Sequence, residues 1–254
     1  MLSSNLFFSN DIPFTSFSVS HLVAVVVFIA CLLVFVKSAR QLNDHQNLLF
    51  TRVASIFLSL TVLAWTAIHL AYGRFEAAFD LPLSICNLFA VVAPILFWQP
   101  NRKRFEIVYF FVLAGTLQAI ITPDPDGGFP SYGFFKYWFV HCGLVLVVIH
   151  HLLAFDLYPQ ARGILRNFVW LNIYILCLIP INLWLGSNYL YMMNKSINPS
   201  LLDYFGPWPI YILVSECLAM GFFAVAYLPI FWTRKLRTKM ATIDPIETRN
   251  LNRE

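Results

Sequence analysis

A chain of 254 residues that is 59% hydrophobic and only 12% charged falls outside the composition of soluble domains, in which about a quarter of residues are charged. It reads instead as a polytopic helical membrane protein. The net charge of +4 calls for no nucleic-acid partner, because the basic residues carry a topological signal.

Segments of about 17–25 apolar residues can cross a bilayer as helices, since hydrocarbon offers a bare backbone no hydrogen bonds. In chain order they run Val19–Val36, Leu48–Ala71, Leu81–Trp98, Glu106–Ile121, Phe134–Phe155, Phe168–Leu185 and Pro207–Trp232. The expected fold class is therefore all-α, with seven transmembrane helices. Fourteen of the seventeen Lys and Arg residues lie in the first, third and fifth loops and after the last helix. Only Arg74, Lys136 and Lys195 fall on the other side. The positive-inside rule then puts the N-terminus outside and the C-terminus inside. Residues 1–18 form a short extracytoplasmic segment, 19–232 the membrane domain and 233–254 a basic cytoplasmic tail. The first eighteen residues have no Lys or Arg, unlike a secretory signal, so the first apolar segment is expected to be retained. Trp98, Trp170 and Trp232 fall at inner helix ends and Trp138, Trp184 and Trp208 at outer ends, as interfacial belts require.

Polar side chains at membrane depth are costly and are functional candidates. At about 1.5 Å per helical residue, Ser84, Cys86, Asn87, Gln118, His141, Asn182 and Glu216 all fall in the outer half of the bilayer, with Asn188 just beyond. The inner half carries His150, His151 and Asn172. Hydrogen bonding between helices is the plain role of such residues, at about 0.6–2 kcal/mol each. All five cysteines lie inside the spans, so no secreted-type disulfide framework is expected. A thiol becomes a nucleophile when a base takes its proton, and imidazole is the usual partner. Cys86 and His141 match in depth on the third and fifth spans, and Asn182 or Gln118 could orient the imidazole. An unpaired Glu216 would cost about 2.5–3.5 kcal/mol and is expected to be protonated or paired.

Five strings sharpen this reading: Leu81–Cys86 (LPLSIC), Gly115–Asp124 (GTLQAIITPD), the helix around His141, Asn182–Tyr191 (NLWLGSNYLY) and Gly206–Tyr211 (GPWPIY). In this order they resemble the YwaF-like membrane proteins, bacterial relatives of transmembrane protein 164. The resemblance implies a multi-pass protein of a bacterial cytoplasmic (inner) membrane and a cysteine-dependent acyltransferase of phospholipid acyl chains. It implies Cys86 as nucleophile and His141 as the membrane histidine, with no cofactor and with membrane phospholipids or acyl lipids as partners. Relatives are expected to carry His two places before the cysteine, where this chain has Ser84, so His69 or His141 would supply the base. Ser84, Asn87, Gln118 or Asn182 could donate to an oxyanion, with Asn188 and Glu216 completing the expected substrate-binding set.

Two other classes of function fit parts of the pattern. A proton-coupled transporter or channel would use Glu216 with His141, His150 and His151 as a relay. A scaffold or sensor would need only helix-packing polar groups. The loop Asp124-Pro125-Asp126-Gly127-Gly128 lacks the later ligands of a calcium loop and reads as a tight turn; no metal site is expected.

Overall fold

In the computed structural model of the chain, the described residues are 6–8, 12–196 and 200–251, with side chains described as far as Lys235. Among them every regular element is helical. The helices are α1 (Val19–Gln41), α2 (Asp44–Ala71), α3 (Ala77–Asp80), α4 (Ile85–Phe97), α5 (Arg102–Phe111), α6 (Leu117–Ile121), α7 (Tyr132–Ala154), α8 (Arg162–Leu185) and α9 (Ile210–Leu251). A π-helical turn, Val112–Thr116, joins α5 to α6 in one continuous run.

Six helical runs are long and apolar enough to cross a membrane: Val19–Gln41, Asp44–Ala71, Arg102–Ile121, Tyr132–Ala154, Arg162–Leu185 and Ile210–Lys235. The expected third span differs. Its helix, α4, has 13 residues and covers about 20 Å at 1.5 Å per residue, short of a ~30 Å core. Pro82 disfavours helix at the residue before it, and both Leu81 and Ser84 have extended backbone. Three of the others start before their apolar stretches because side chains cap them early. Asn43 and Gln46 form a reciprocal capping box on α2. Asn101 caps α5 through Lys103 N and Arg104 N, and Ser131 caps α7 through Phe134 N.

The register alternates in direction. At one face, called near here, α1 begins and α2 ends: His21 reaches the Ile120 carbonyl, and the Tyr132 hydroxyl donates to the Thr61 carbonyl. At the opposite, far face, Arg52 Nε donates to the Trp98 carbonyl, 2.9 Å away, and His151 packs on Phe105. Between them the Ser59 hydroxyl donates to the Val91 carbonyl. Thus 80–98 runs antiparallel to α2, from the level of Trp65 to that of Arg52.

Helix α7 is the central pillar: 67% of its apolar window is buried, against 11% for α1 and α9. Its Val140, Leu144 and Val148 are buried in one core with Leu58, Phe97 and Phe105. A Cβ on Gly143 would come within 2.5 Å of Leu58 Cδ2, so glycine sets how closely α2 and α7 approach. Outward, Val26, Leu33, Leu176, Leu183 and Leu213 are well exposed, as surfaces meeting lipid must be. Five of the seven tryptophans are exposed, but Trp138 is buried against His21 and Phe134, a packing role in place of the interfacial one its position suggested.

Candidate intramembrane site

Cys86 occupies the first turn of α4, and its Sγ lies 3.4 Å from Thr116 Oγ1. Thr116 is fully buried and closes the π turn. A π turn accommodates one residue beyond the α repeat and recurs at functional sites; here it re-aims the helix where Thr116 meets the thiol. Ser84 sits at the N-cap position of α4 without a side-chain cap bond. The Asn87 side chain, half-buried on the next residue but two, makes no hydrogen bond among the described residues. Cys86 and Cys142 are both free thiols.

His141 lies midway along α7. Its Nδ1 is 2.8 Å from the Tyr137 carbonyl, and its ring lies tilted against that of Tyr137 with centroids 4.0 Å apart. A carbonyl can only accept, so Nδ1 carries the proton and the neutral ring presents Nε2 as the basic nitrogen. Tyr137 in turn is tied to the segment 119–124. Its hydroxyl donates to the Ala119 carbonyl and accepts from Asp124 N. Helices α4 and α7 pack together, but no hydrogen bond joins Cys86 to His141 among the described residues.

The other expected site residues divide. Gln118 donates to Thr122 on its own helix. Buried Asn182 accepts from Ser187 Oγ and Tyr189 N and donates to the Tyr189 carbonyl. Asn188 accepts from Met193 N and Asn194 N and donates to the Asn194 carbonyl. The two asparagines thus bracket Leu190 and Tyr191, whose φ of 59° and 55° are strained for non-glycine residues. Glu216 is half-buried on α9, and no described residue pairs with its carboxylate. His150 and His151 diverge: one packs on Phe50 and Thr51, the other on Phe97 and Phe105.

Sequence reasoning missed a second polar cluster at the near face. His69 Nδ1 lies 2.7 Å from Asp80 Oδ1, without hydrogen-bond geometry. The same carboxylate accepts from Trp65 Nε1 and Glu76 N. Lys136, buried on α7, makes a 2.6 Å ion pair with Asp126 and lies 4.1 Å over the Trp65 ring. The Asp124–Gly128 turn is thus held by side chains: Tyr191 donates to Asp124, and Lys136 holds Asp126. Tyr189, beyond the end of α8, donates to the Ala77 carbonyl and accepts from Leu81 N, and burial pushes its phenol up to about 12. At the far face buried Glu106 accepts from Gln160 N and pairs with Arg166 at 3.0 Å.

A helical bundle with six apolar runs long enough to span a bilayer defines a polytopic integral membrane protein. A family model described as the TMEM164 family matches residues 16–227, most of the chain. The chain belongs to the TMEM164 family. No curated protein and no solved structure matches it.

Proposed function

We propose that this protein is an intramembrane acyltransferase, or lipid-ester hydrolase, with Cys86 as nucleophile and His141 as base. What carries the reading is the Cys86–Thr116 contact beside the π turn, in a chain of the TMEM164 family. The spans form a seven-pass domain with the N-terminus outside, in a bacterial inner membrane. Two features support the pass number and orientation: 80–98 runs antiparallel to α2, and the Lys and Arg residues gather toward the far face.

In the mechanism the Cys86 thiolate attacks the ester carbonyl carbon of a phospholipid. A C–S bond forms, and the carbonyl oxygen becomes an oxyanion that hydrogen-bond donors stabilise. Collapse breaks the ester C–O bond; the proton taken by His141 Nε2 passes to the departing lysophospholipid hydroxyl. A second lysophospholipid hydroxyl, or water, then attacks the thioester and restores the thiol. Thr116 holds the sulfur by hydrogen bonding, and the Tyr137 carbonyl fixes the His141 tautomer, the part a carboxylate takes in a triad. Base catalysis requires Nε2 to come within hydrogen-bond reach of the thiol, directly or through one water, once lipid is bound. Ser84, Asn87 and Gln118 would meet the ester. Asn182 and Asn188 act on substrate through the loop they hold, and Glu216 would face it from α9.

A lipid-tailed thiol electrophile tests the reading. Labelling of wild-type protein mapped to Cys86, and slowed in His141→Ala, supports it. Labelling spread over Cys177 and Cys217, the exposed thiols, contradicts it.

A further inference from the structure

We propose that the cleft between α2 and α7 at the near face seats a phospholipid, with one acyl chain against Phe57, Phe135 and Phe139 and the lipid phosphate on Lys136. This inference stands apart from the Cys86 reading and holds whether or not the protein is an enzyme. The cleft encloses about 380 Å³. Its deeper wall is aromatic: Phe57 and Phe139 meet edge to face at 5.4 Å, and Phe135 lies 6.0 Å from Phe139. Both Phe57 and Phe139 are about half exposed, so the cleft opens sideways between two membrane helices, where the surrounding solvent is acyl chain.

The polar end fixes the kind of lipid. Lys136 and Tyr132, both within the first turns of α7, line the cleft together with Thr61. A buried ammonium is expensive, and this one is held by Asp126 on one side and the Trp65 ring on another. An ammonium has three N–H donors, and Asp126 accepts from one. The remaining capacity, at headgroup level above an apolar slot, is complementary to a phosphate whose chains descend into the bilayer. Tyr132 is already committed: its hydroxyl donates to the Thr61 carbonyl, which braces the two walls.

The test uses the full chain in nanodiscs containing a small fraction of phosphatidylglycerol with a photoreactive group in one acyl chain. Crosslinked peptides are then mapped. The proposal expects residues 57–61 and 135–139 to be labelled about tenfold over the lipid-facing residues of α9, a preference of about 1.4 kcal/mol. Thr61→Trp, which fills the slot without touching the charges, removes the enrichment. Diacylglycerol carrying the same chain labels the cleft less than phosphatidylglycerol does, and Lys136→Gln erases that difference. Even labelling of all lipid-facing helices, or enrichment that survives Thr61→Trp, overturns the proposal. So does equal labelling by diacylglycerol, a preference for photoreactive fatty acid, or crosslinking of two copies of the chain through this cleft.

Discussion

Cys86 Sγ and Thr116 Oγ1 stand 3.4 Å apart, joining the first turn of α4 to the last residue of a π turn thirty positions later in the chain. A hydroxyl that can donate to sulfur stabilises the thiolate, and hydrogen bonds to charged groups contribute about 1.5–3 kcal/mol. Thr116→Val is therefore expected to slow alkylation of Cys86 by roughly 10- to 100-fold, while Thr116→Ser keeps most of the rate. Stopped-time labelling of the two variants with a lipid-tailed maleimide measures this. Equal rates for Val and Ser would show that the contact is packing alone.

Asp80, buried beside Trp65, accepts from Trp65 Nε1 and Glu76 N and touches His69. Removing one partner of such a group strands the others, at about 3–5 kcal/mol. Asp80→Leu should lose that much stability in detergent, and Asp80→Asn distinctly less, because an amide oxygen can still accept. Thermal unfolding of the two variants gives the comparison; equal stabilities would remove Asp80 as the centre of the cluster.

Two glycines separate tight packing from forgiving packing. A Cβ at Gly163 would lie 2.6 Å from Phe110 and 2.7 Å from Glu106 Cδ, and that carboxylate is held by Gln160 N and Arg166. At Gly143 the nearest atom is the tip of Leu58. Gly163→Ala is expected to cost about 1–3 kcal/mol by overpacking, with Gly143→Ala costing less. Paired chemical-denaturation curves decide the order.

Tyr189 supplies a pH dependence. Its phenol is raised from the ordinary 10 to about 12, chiefly by burial. A raised acid stays neutral in the folded state, while the unfolded chain ionises near 10. The stability it contributes is complete below pH 10 and is lost as pH climbs from 10 toward 12. Tyr189→Phe leaves Leu81 N without its acceptor and should lower stability at neutral pH while flattening this alkaline decline. Unfolding midpoints at pH 8, 10 and 11 (chosen to bracket the transition) check both limbs.

The membrane class, and the paths of α1, α2, α7, α8 and α9, were legible because hydropathy records what lipid demands of a helix. The helix ends were not: Asn43, Asn101 and Ser131 carry helices into polar sequence that a hydropathy window discards. The short α4 was hidden because Leu81–Ser84 is apolar yet extended, and composition does not separate the two. Cys86 and His141 stood out as polar groups at matching depth; the structure sets His141 against Tyr137 and Cys86 against Thr116. Thr116 lay inside a quoted string without standing out, since the π turn that aims it leaves no periodic mark. Lys136 read as an outer-side charge, Asp80 drew no reading, and Glu106 read as a span end. Their burial depends on partners at Asp126, His69 and Arg166, which only the folded chain brings to them.

The most direct measurement of the central claim is trapping of the acyl intermediate. Purified protein is incubated with phosphatidylglycerol bearing an alkyne-tagged acyl chain, quenched in acid and mapped. The account predicts a hydroxylamine-labile tag on Cys86, absent in Cys86→Ala and strongly reduced in His141→Ala, both variants remaining folded. Tagged lipid product formed by Cys86→Ala at the wild-type rate would contradict it.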